Sequence, residues 1–126
     1  MNKLVRIGTR GSALALWQAR QVQNMLGTVG LKSELVPISS SGDKELQKPL
    51  YGMGIQGIFT KELDVALLEG QIDVAVHSMK DVPTQLPKGI TTAFIPKRGP
   101  VADVFISKGD AWEDNKSMVA TSSLRR

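Results

Sequence analysis

The sequence predicts an α/β fold in which helices and strands alternate around a parallel sheet. Helical patterns at about 13–26 and 58–69 separate short apolar segments at 4–8, 33–38 and 72–76. The last segment, IDVAV, is nearly continuous in apolar residues, which is typical of a central parallel strand covered on both faces. In such a sheet, ligand-binding groups are expected at the carboxyl ends of the strands.

The first predicted strand runs into a helix that begins at Ala13 and ends near Leu26. Ser12 is the expected N-cap, since its hydroxyl can accept a hydrogen bond from an amide of the first turn. Gly27 or Gly30 can end the helix. The apolar face, expected to be buried, comprises Leu14, Val22, Met25 and Leu26. The polar face comprises Arg20, Gln23 and Asn24.

After the second strand, at 33–38, a Gly-rich polar stretch covers 39–57 and is interpreted as a lid, because long loops inside compact domains are usually functional or disordered. The second helix should end at Gly70. Its buried stripe is expected to comprise Phe59, Leu63, Ala66 and Leu67. Further strands are predicted at 90–95, 104–107 and 118–121, and the first turn of a helix at 122–126.

Composition excludes several classes of protein. The chain has 126 residues, of which 41% are hydrophobic and 22% charged, as in ordinary globular proteins. Its net charge of +4 is scattered, which disfavours nucleic-acid binding but suits a small ligand with several carboxylates. No apolar run reaches the roughly 18 residues of a membrane helix, and the N-terminus is no secretory signal, so a cytoplasmic location is expected. Without cysteine, and with one histidine, no metal site is expected.

Two segments are candidate anion sites. Arg10 and Ser12 stand at a predicted helix start, where unpaired amides, a hydroxyl and a guanidinium can bind carboxylate or phosphate. The alternative is that Ser12 only caps the helix and Arg10 is solvated. The segment 119–123 weakly repeats the pattern at 7–12, and the arginines that follow it form either an equivalent site or a solvated pair.

The segment that follows the third strand, His77 to Pro83, is a candidate catalytic site. Asp81 could accept a hydrogen bond from a substrate N–H and stabilise positive charge that develops on it. Alternatively, Asp81 caps a turn and Lys80 neutralises it. His77 is interpreted as a hydrogen-bonded structural imidazole in preference to a catalytic one.

Four segments together resemble the porphobilinogen deaminase (hydroxymethylbilane synthase) family. They are RIGTRGSALALWQA at 6–19, GIFTKELDVALL at 57–68, DVAVHSMKDVPT at 73–84 and ATSSLRR at 120–126. The third is highly specific to that family, and the four occur in the family's order. The resemblance runs through nearly the whole chain.

The resemblance implies a transferase that condenses four porphobilinogen molecules into hydroxymethylbilane, with release of ammonia, in tetrapyrrole and haem biosynthesis. Asp81 matches the catalytic aspartate. Positions that bind the acetate and propionate groups of cofactor and substrate are matched by Arg10, Ser12, Lys80, Thr121, Ser122, Ser123, Arg125 and Arg126; Asp81 also faces the cofactor. The segment at 40–57 matches the mobile active-site loop, in which Gln56 replaces a lysine of many relatives.

The family's cofactor is dipyrromethane, which is attached to a cysteine of a third domain. The chain contains no cysteine, so a truncated chain is expected, with domain 1 at 1–96, a hinge at 97–100, the beginning of domain 2 at 101–126 and no domain 3. Such a fragment should neither attach the cofactor nor turn over substrate. The resemblance further implies a lobe of the periplasmic-binding-protein type with a mixed sheet and an incomplete second lobe, no membrane or nucleic-acid partner, and a monomeric full-length protein.

Two rival functions remain open. A two-lobed binding module without chemistry would have the same fold, but it has no need of Lys80 next to Asp81 after a buried strand. A nucleic-acid-binding domain would bind DNA with a steep dependence on salt concentration.

Overall fold

The computed structural model describes residues 3–40, 59–102, 104–106 and 118–121. The chain divides into two units, Met1–Ala93 and Phe94–Arg126. The elements of regular structure all belong to the first unit, as far as the described ranges extend. The expectations for the Gly-rich stretch at 39–57, from residue 41 onwards and including Gln56, and for the helical turn at 122–126 lie outside the described residues.

A three-stranded parallel sheet forms the centre of the first unit. Its strands are β1 (Val5–Thr9), β2 (Ser33–Pro37) and β3 (Val74–Ala75), in the order β2-β1-β3. All pairings among the described strands are parallel, whereas a mixed sheet was expected. Within the described sheet the central strand is β1 and β3 lies at the edge, which contradicts the prediction that the third apolar segment forms the central strand. Burial agrees with this order, because the last three residues of β1, Ile7 to Thr9, are all buried and successive side chains of a strand point to opposite faces.

Asp73 joins the start of β1 to the segment before β3. Its carboxylate accepts hydrogen bonds from the backbone N–H of Arg6 at 3.0 Å, from Arg6 Nε at 3.0 Å and from Lys3 Nζ at 2.8 Å. These bonds, first of all those from the Arg6 side chain, hold the pKa of Asp73 well below its usual range. The backbone bond from Asp73 N–H to the carbonyl of Arg6 continues the ladder.

Helix α1 spans Ala13–Thr28 and has the predicted caps. Ser12 Oγ accepts a hydrogen bond from the N–H of Ala15 at 3.3 Å. At the other end, Gly30 has a φ of 78°, and the N–H of Leu31 bonds to the carbonyl of Leu26 at 3.0 Å. This is the Schellman arrangement, and it selects Gly30 over Gly27 as the residue that ends the helix.

The face that α1 turns towards the sheet differs from the predicted one. Ala15 and Ala19 are its buried residues, while Leu14 and Met25 are 53% and 42% exposed. Val22 and Leu26 are half-buried, as is Gln23, which was expected on the polar face but donates a hydrogen bond to a β2 carbonyl. Small alanine side chains allow the helix to approach the sheet closely, which a ranking by hydrophobicity does not capture.

Helix α2 spans Lys61–Leu68 and buries two of the four predicted stripe residues, while Leu67 is half-buried and Phe59, also half-buried, precedes the helix. Leu63 and Ala66 are buried and pack with Ile72, which precedes β3. Gly70, with a φ of 69°, ends the helix in a second Schellman arrangement, as predicted. Neither helix has the length and apolar composition to cross a bilayer, and these are the helices that the described ranges contain.

The strands predicted beyond residue 89 are not formed in the described parts of those segments. Residues 90–95, 104–106 and 118–121 have no regular structure. Side chains such as Ile106 and Met118 are 89% and 97% exposed. An apolar segment becomes a strand only where a neighbouring strand completes a ladder of backbone hydrogen bonds, and no such ladder is assigned in the described parts of these segments.

Candidate functional site

A cavity of about 170 Å³ lies at the carboxyl ends of β1 and β3. The connection from β1 to α1 forms one wall. The segment after β3, which includes a 3₁₀ turn at Met79–Asp81, forms another. The cavity is lined by Arg10, Ser12, Leu14, Ala15, Gln18, Val76, His77, Ser78, Lys80 and Asp81. This is the edge of the sheet at which the sequence predicts ligand binding.

Arg10 and Asp81 form an ion pair in this cavity. Arg10 Nη1 lies 3.5 Å from Asp81 Oδ2, and each side chain is 17% exposed. The guanidinium carbon of Arg10 also lies 4.1 Å from the centre of the Phe59 ring, a cation–π contact. These contacts help to hold the guanidinium in place, and the guanidinium in turn positions the Asp81 carboxylate on the cavity wall.

The remaining positive groups come from the helix start and from Lys80. The α1 N-terminus carries no acidic residue in its first turn, so the partial positive charge of its amides is not offset there. Ser12 is exposed at this end, and Lys80 is exposed beside Asp81. Arg10, Lys80 and the α1 N-terminus can bind a ligand that carries several carboxylates. Asp81 can bind a hydrogen-bond donor or a positively charged group of the same ligand.

Gln18 and Ser78 are site residues that the sequence analysis missed. Ser78 Oγ donates a hydrogen bond to Gln18 Oε1 at 2.9 Å, which ties α1 to the segment after β3. A signal for Gln18 was available, since it is a polar residue between the small residues Ala15 and Ala19 of the buried face. Ser78 lies inside the DVAVHSMKDVPT segment but has no separate signal in the sequence.

His77 is half-buried and differs from the hydrogen-bonded structural imidazole that was expected. Its Nε2 atom is enclosed and has no hydrogen-bond partner among the described residues. Burial lowers the pKa of His77 below its ordinary value. The carboxylates of Asp64 and Asp81 oppose this effect, and the charge of Arg10 adds to it. The imidazole is therefore neutral at pH 7.

A second, larger cavity of about 420 Å³ lies beside α2. Its walls include Val65, Leu68, Pro83 and Pro87, and it is an open, mainly apolar groove. The start of α2 reaches it through Thr60 and Lys61, but the Arg10–Asp81 ion pair lies in the smaller cavity, which is therefore the candidate site. In the described ranges, no group of three or more His, Cys, Asp or Glu side chains could hold a metal ion.

The structure brings four of the predicted site residues together, namely Arg10, Ser12, Lys80 and Asp81. Thr121 belongs to the second unit and is exposed. The other predicted residues lie outside the described ones; they are Ser122, Ser123, Arg125 and Arg126. The chemical roles of all these residues stay predictions.

Comparison with known proteins gives the family. The family model described as porphobilinogen deaminase, dipyromethane cofactor binding domain, matches residues 5–126. The chain belongs to the porphobilinogen deaminase family. It is also similar to a porphobilinogen deaminase of Maridesulfovibrio salexigens, with 46% identity over 127 residues. That match covers 97% of this chain but 41% of the length of the relative. Family membership confirms the resemblance that the four sequence segments carry.

Proposed function

We propose that the full-length protein is a porphobilinogen deaminase, a transferase that condenses four porphobilinogen molecules into hydroxymethylbilane and releases ammonia at each step. Family membership and the similar deaminase support this assignment. The structural observation on which it depends is the Arg10–Asp81 pair in the cavity at the ends of β1 and β3.

Asp81 is proposed as the catalytic residue. When porphobilinogen loses ammonia, its pyrrole becomes an electron-poor azafulvene whose positive charge extends to the ring nitrogen. A carboxylate held beside that N–H stabilises this charge as it develops. Because Arg10 forms an ion pair with Asp81, the carboxylate is positioned before the reaction begins.

Arg10, Ser12 and Lys80 are proposed to bind the acetate and propionate groups of the pyrroles. Arginine can bind two carboxylate oxygens at once, while Lys80 acts as a point charge. The α1 N-terminus adds amide donors next to Ser12. In the second unit, the same role is proposed for Thr121, Ser122, Ser123, Arg125 and Arg126.

The charged and polar side chains of the cavity are complementary to the charges of the dipyrromethane cofactor. The group carries carboxylates that suit Arg10, Ser12 and Lys80, and pyrrole N–H groups that suit Asp81. Ligand pockets usually enclose roughly 300–1,000 Å³, so a cavity of about 170 Å³ corresponds to part of such a site. When bound, the cofactor supplies the terminal pyrrole to which the first substrate is added. The chain itself contains no cysteine that could attach it.

The finer assignments of fold and organisation belong to the same proposal. We propose that the parallel α/β unit is one lobe of the periplasmic-binding-protein type, with domain 1 at 1–96, a hinge at 97–100 and the beginning of domain 2 at 101–126. We further propose a cytoplasmic, monomeric full-length protein that binds porphobilinogen and the growing pyrrole chain and does not bind nucleic acid.

The test is the Asp81→Asn variant of the full-length protein, with Asp64→Asn as a matched control outside the cavity. Turnover is measured as porphyrin formed from porphobilinogen, and ligand affinity as the dissociation constant of porphobilinogen. Loss of an electrostatic group of this kind lowers kcat by about 100- to 1,000-fold, with little change in affinity. The control should keep its kcat at neutral pH. If Asp81→Asn retains kcat within about threefold of the wild type, Asp81 is not catalytic. Binding of porphobilinogen without any turnover by the wild type would favour a binding module.

A further inference from the structure

His77 lies in the candidate site but has no part in the proposed reaction. It lines the same cavity as Arg10 and Asp81, directly after β3. Its Nε2 atom is enclosed without a hydrogen-bond partner among the described residues. A buried polar atom without a hydrogen-bond partner lowers the stability of a protein, so its presence at a binding site suggests a role in the function of the site.

Charged groups reach His77 from each element around it. Arg10 follows β1, Asp64 is on α2, and Asp81 with Lys80 belongs to the 3₁₀ turn. Asp64 and Asp81 favour the charged imidazolium, while Arg10 disfavours it. Burial has the largest effect and favours the neutral imidazole. Among the described residues that line the cavity, the charged ones are therefore the cations Arg10 and Lys80 and the carboxylate of Asp81, beside an uncharged His77.

We propose that His77 is a positioning residue that must remain neutral for turnover, because its protonation would set a third cation against the single carboxylate of the cavity. An imidazolium there would compete with the pyrrole for the negative potential of Asp81. The proposal rests on the proposed function, since the positive charge in question is the one that develops on the azafulvene. It makes the protonation state of His77 the cause of an acidic limit of the reaction.

The first test is the pH dependence of kcat for the full-length wild type and its His77→Gln variant. Glutamine is polar and of similar size, but it has no proton to gain in this range. The wild type should lose kcat about tenfold per pH unit once His77 becomes protonated. In His77→Gln, the acid limb should move to lower pH by about one unit or more, because another group then limits the reaction.

Asp64→Asn is an independent test that leaves the cavity residues intact. Asp64 favours protonation of His77, so its neutralisation should shift the acid limb of kcat to lower pH and leave the neutral plateau unchanged. This variant also decides the question if His77→Gln does not fold. A change in folding alone would lower the plateau without moving the limb.

The outcomes separate the two proposals. An acid limb at the same pH in the wild type and in Asp64→Asn would overturn the role of His77, even if the enzyme is fully active. The same limb in a folded and active His77→Gln variant would also overturn it. If the wild type does not turn over porphobilinogen at any pH, the proposed function fails and the role of His77 fails with it.

Discussion

Replacement of Gly8 by alanine is expected to destabilise the protein by overfilling the contact between β1 and the core. A Cβ atom at this position would overlap Cδ1 of Ile72 and lie 2.8 Å from Cδ2 of Leu63. Ile72 and Leu63 are 2% and 1% exposed, so neither side chain can turn into solvent to make room. The φ of Gly8 is not in the left-handed region, so the cost is steric alone. Overpacking of this kind costs about 1–3 kcal/mol.

The assay is urea denaturation followed by circular dichroism, with Gly27→Ala as the matched control. A loss of about 2 kcal/mol lowers the midpoint by roughly 1 M urea when m is about 2 kcal/mol/M. At Gly27, inside α1, the added Cβ meets nothing within 4 Å. Alanine is a better helix former than glycine by up to about 1 kcal/mol, so the control should be neutral or slightly more stable.

The Gly8 substitution should also affect the candidate site. Arg10 lies two positions along the chain, so a displacement of β1 would loosen the Arg10–Asp81 pair and lower kcat in the full-length enzyme. Equal midpoints for Gly8→Ala and Gly27→Ala would refute the reasoning. They would mean that Ile72 and Leu63 repack without cost around the new methyl group.

Substitutions at three further positions test the fold. Asp73→Asn should be less stable than the wild type at pH 7. Because the native pKa of Asp73 is lowered, its carboxylate stabilises the protein above about pH 4, and this contribution is lost as the pH falls through the native pKa. Thermal melts should therefore show a smaller difference in stability between the wild type and Asp73→Asn near pH 3 than at pH 7. An equal difference at both pH values would contradict this. Ser12→Ala should lose about 1 kcal/mol because the α1 cap is removed, whereas Ser12→Asn should keep most of that stability in the same denaturation assay. Gly70→Ala should lose about 1–2 kcal/mol because its φ is positive, and an unchanged midpoint would show that the turn can change conformation.

Much of the fold was predictable because its signals are local. The order of the strands and helices up to β3 followed from hydrophobic periodicity. Ser12 caps α1 through its hydroxyl, and Gly30 and Gly70 end the helices because a residue without a side chain tolerates a positive φ. The buried face of α1 was not predictable from hydrophobicity, because close packing on the sheet favours Ala15 and Ala19 over larger residues.

Features that depend on pairing between distant segments could not be read from the sequence. Which strand is central depends on which neighbours form ladders, and the third apolar segment lies at the edge of the described sheet. The hydrogen bond between Ser78 and Gln18 joins residues 60 positions apart. The candidate residues Arg10, Ser12, Lys80 and Asp81 were identified from local motifs, but their shared cavity follows from the tertiary structure.

The register between β1 and β3 explains why the charged residues meet. Ile7 pairs with Val74 and Gly8 with Ala75, an offset of 67 positions. Continued past the ends of the strands, the same offset sets Arg10 opposite His77. The 3₁₀ turn at Met79–Asp81 then carries Asp81 back to within 3.5 Å of Arg10. A neutral His77 at that position leaves Arg10 to pair with Asp81, whereas a charged one would repel the guanidinium and compete for the same carboxylate. The acid limit proposed for the reaction and the steric effect of Gly8→Ala therefore act on one ion pair. A double variant of Gly8→Ala and His77→Gln should show non-additive effects on kcat at a pH on the acid limb of the wild type.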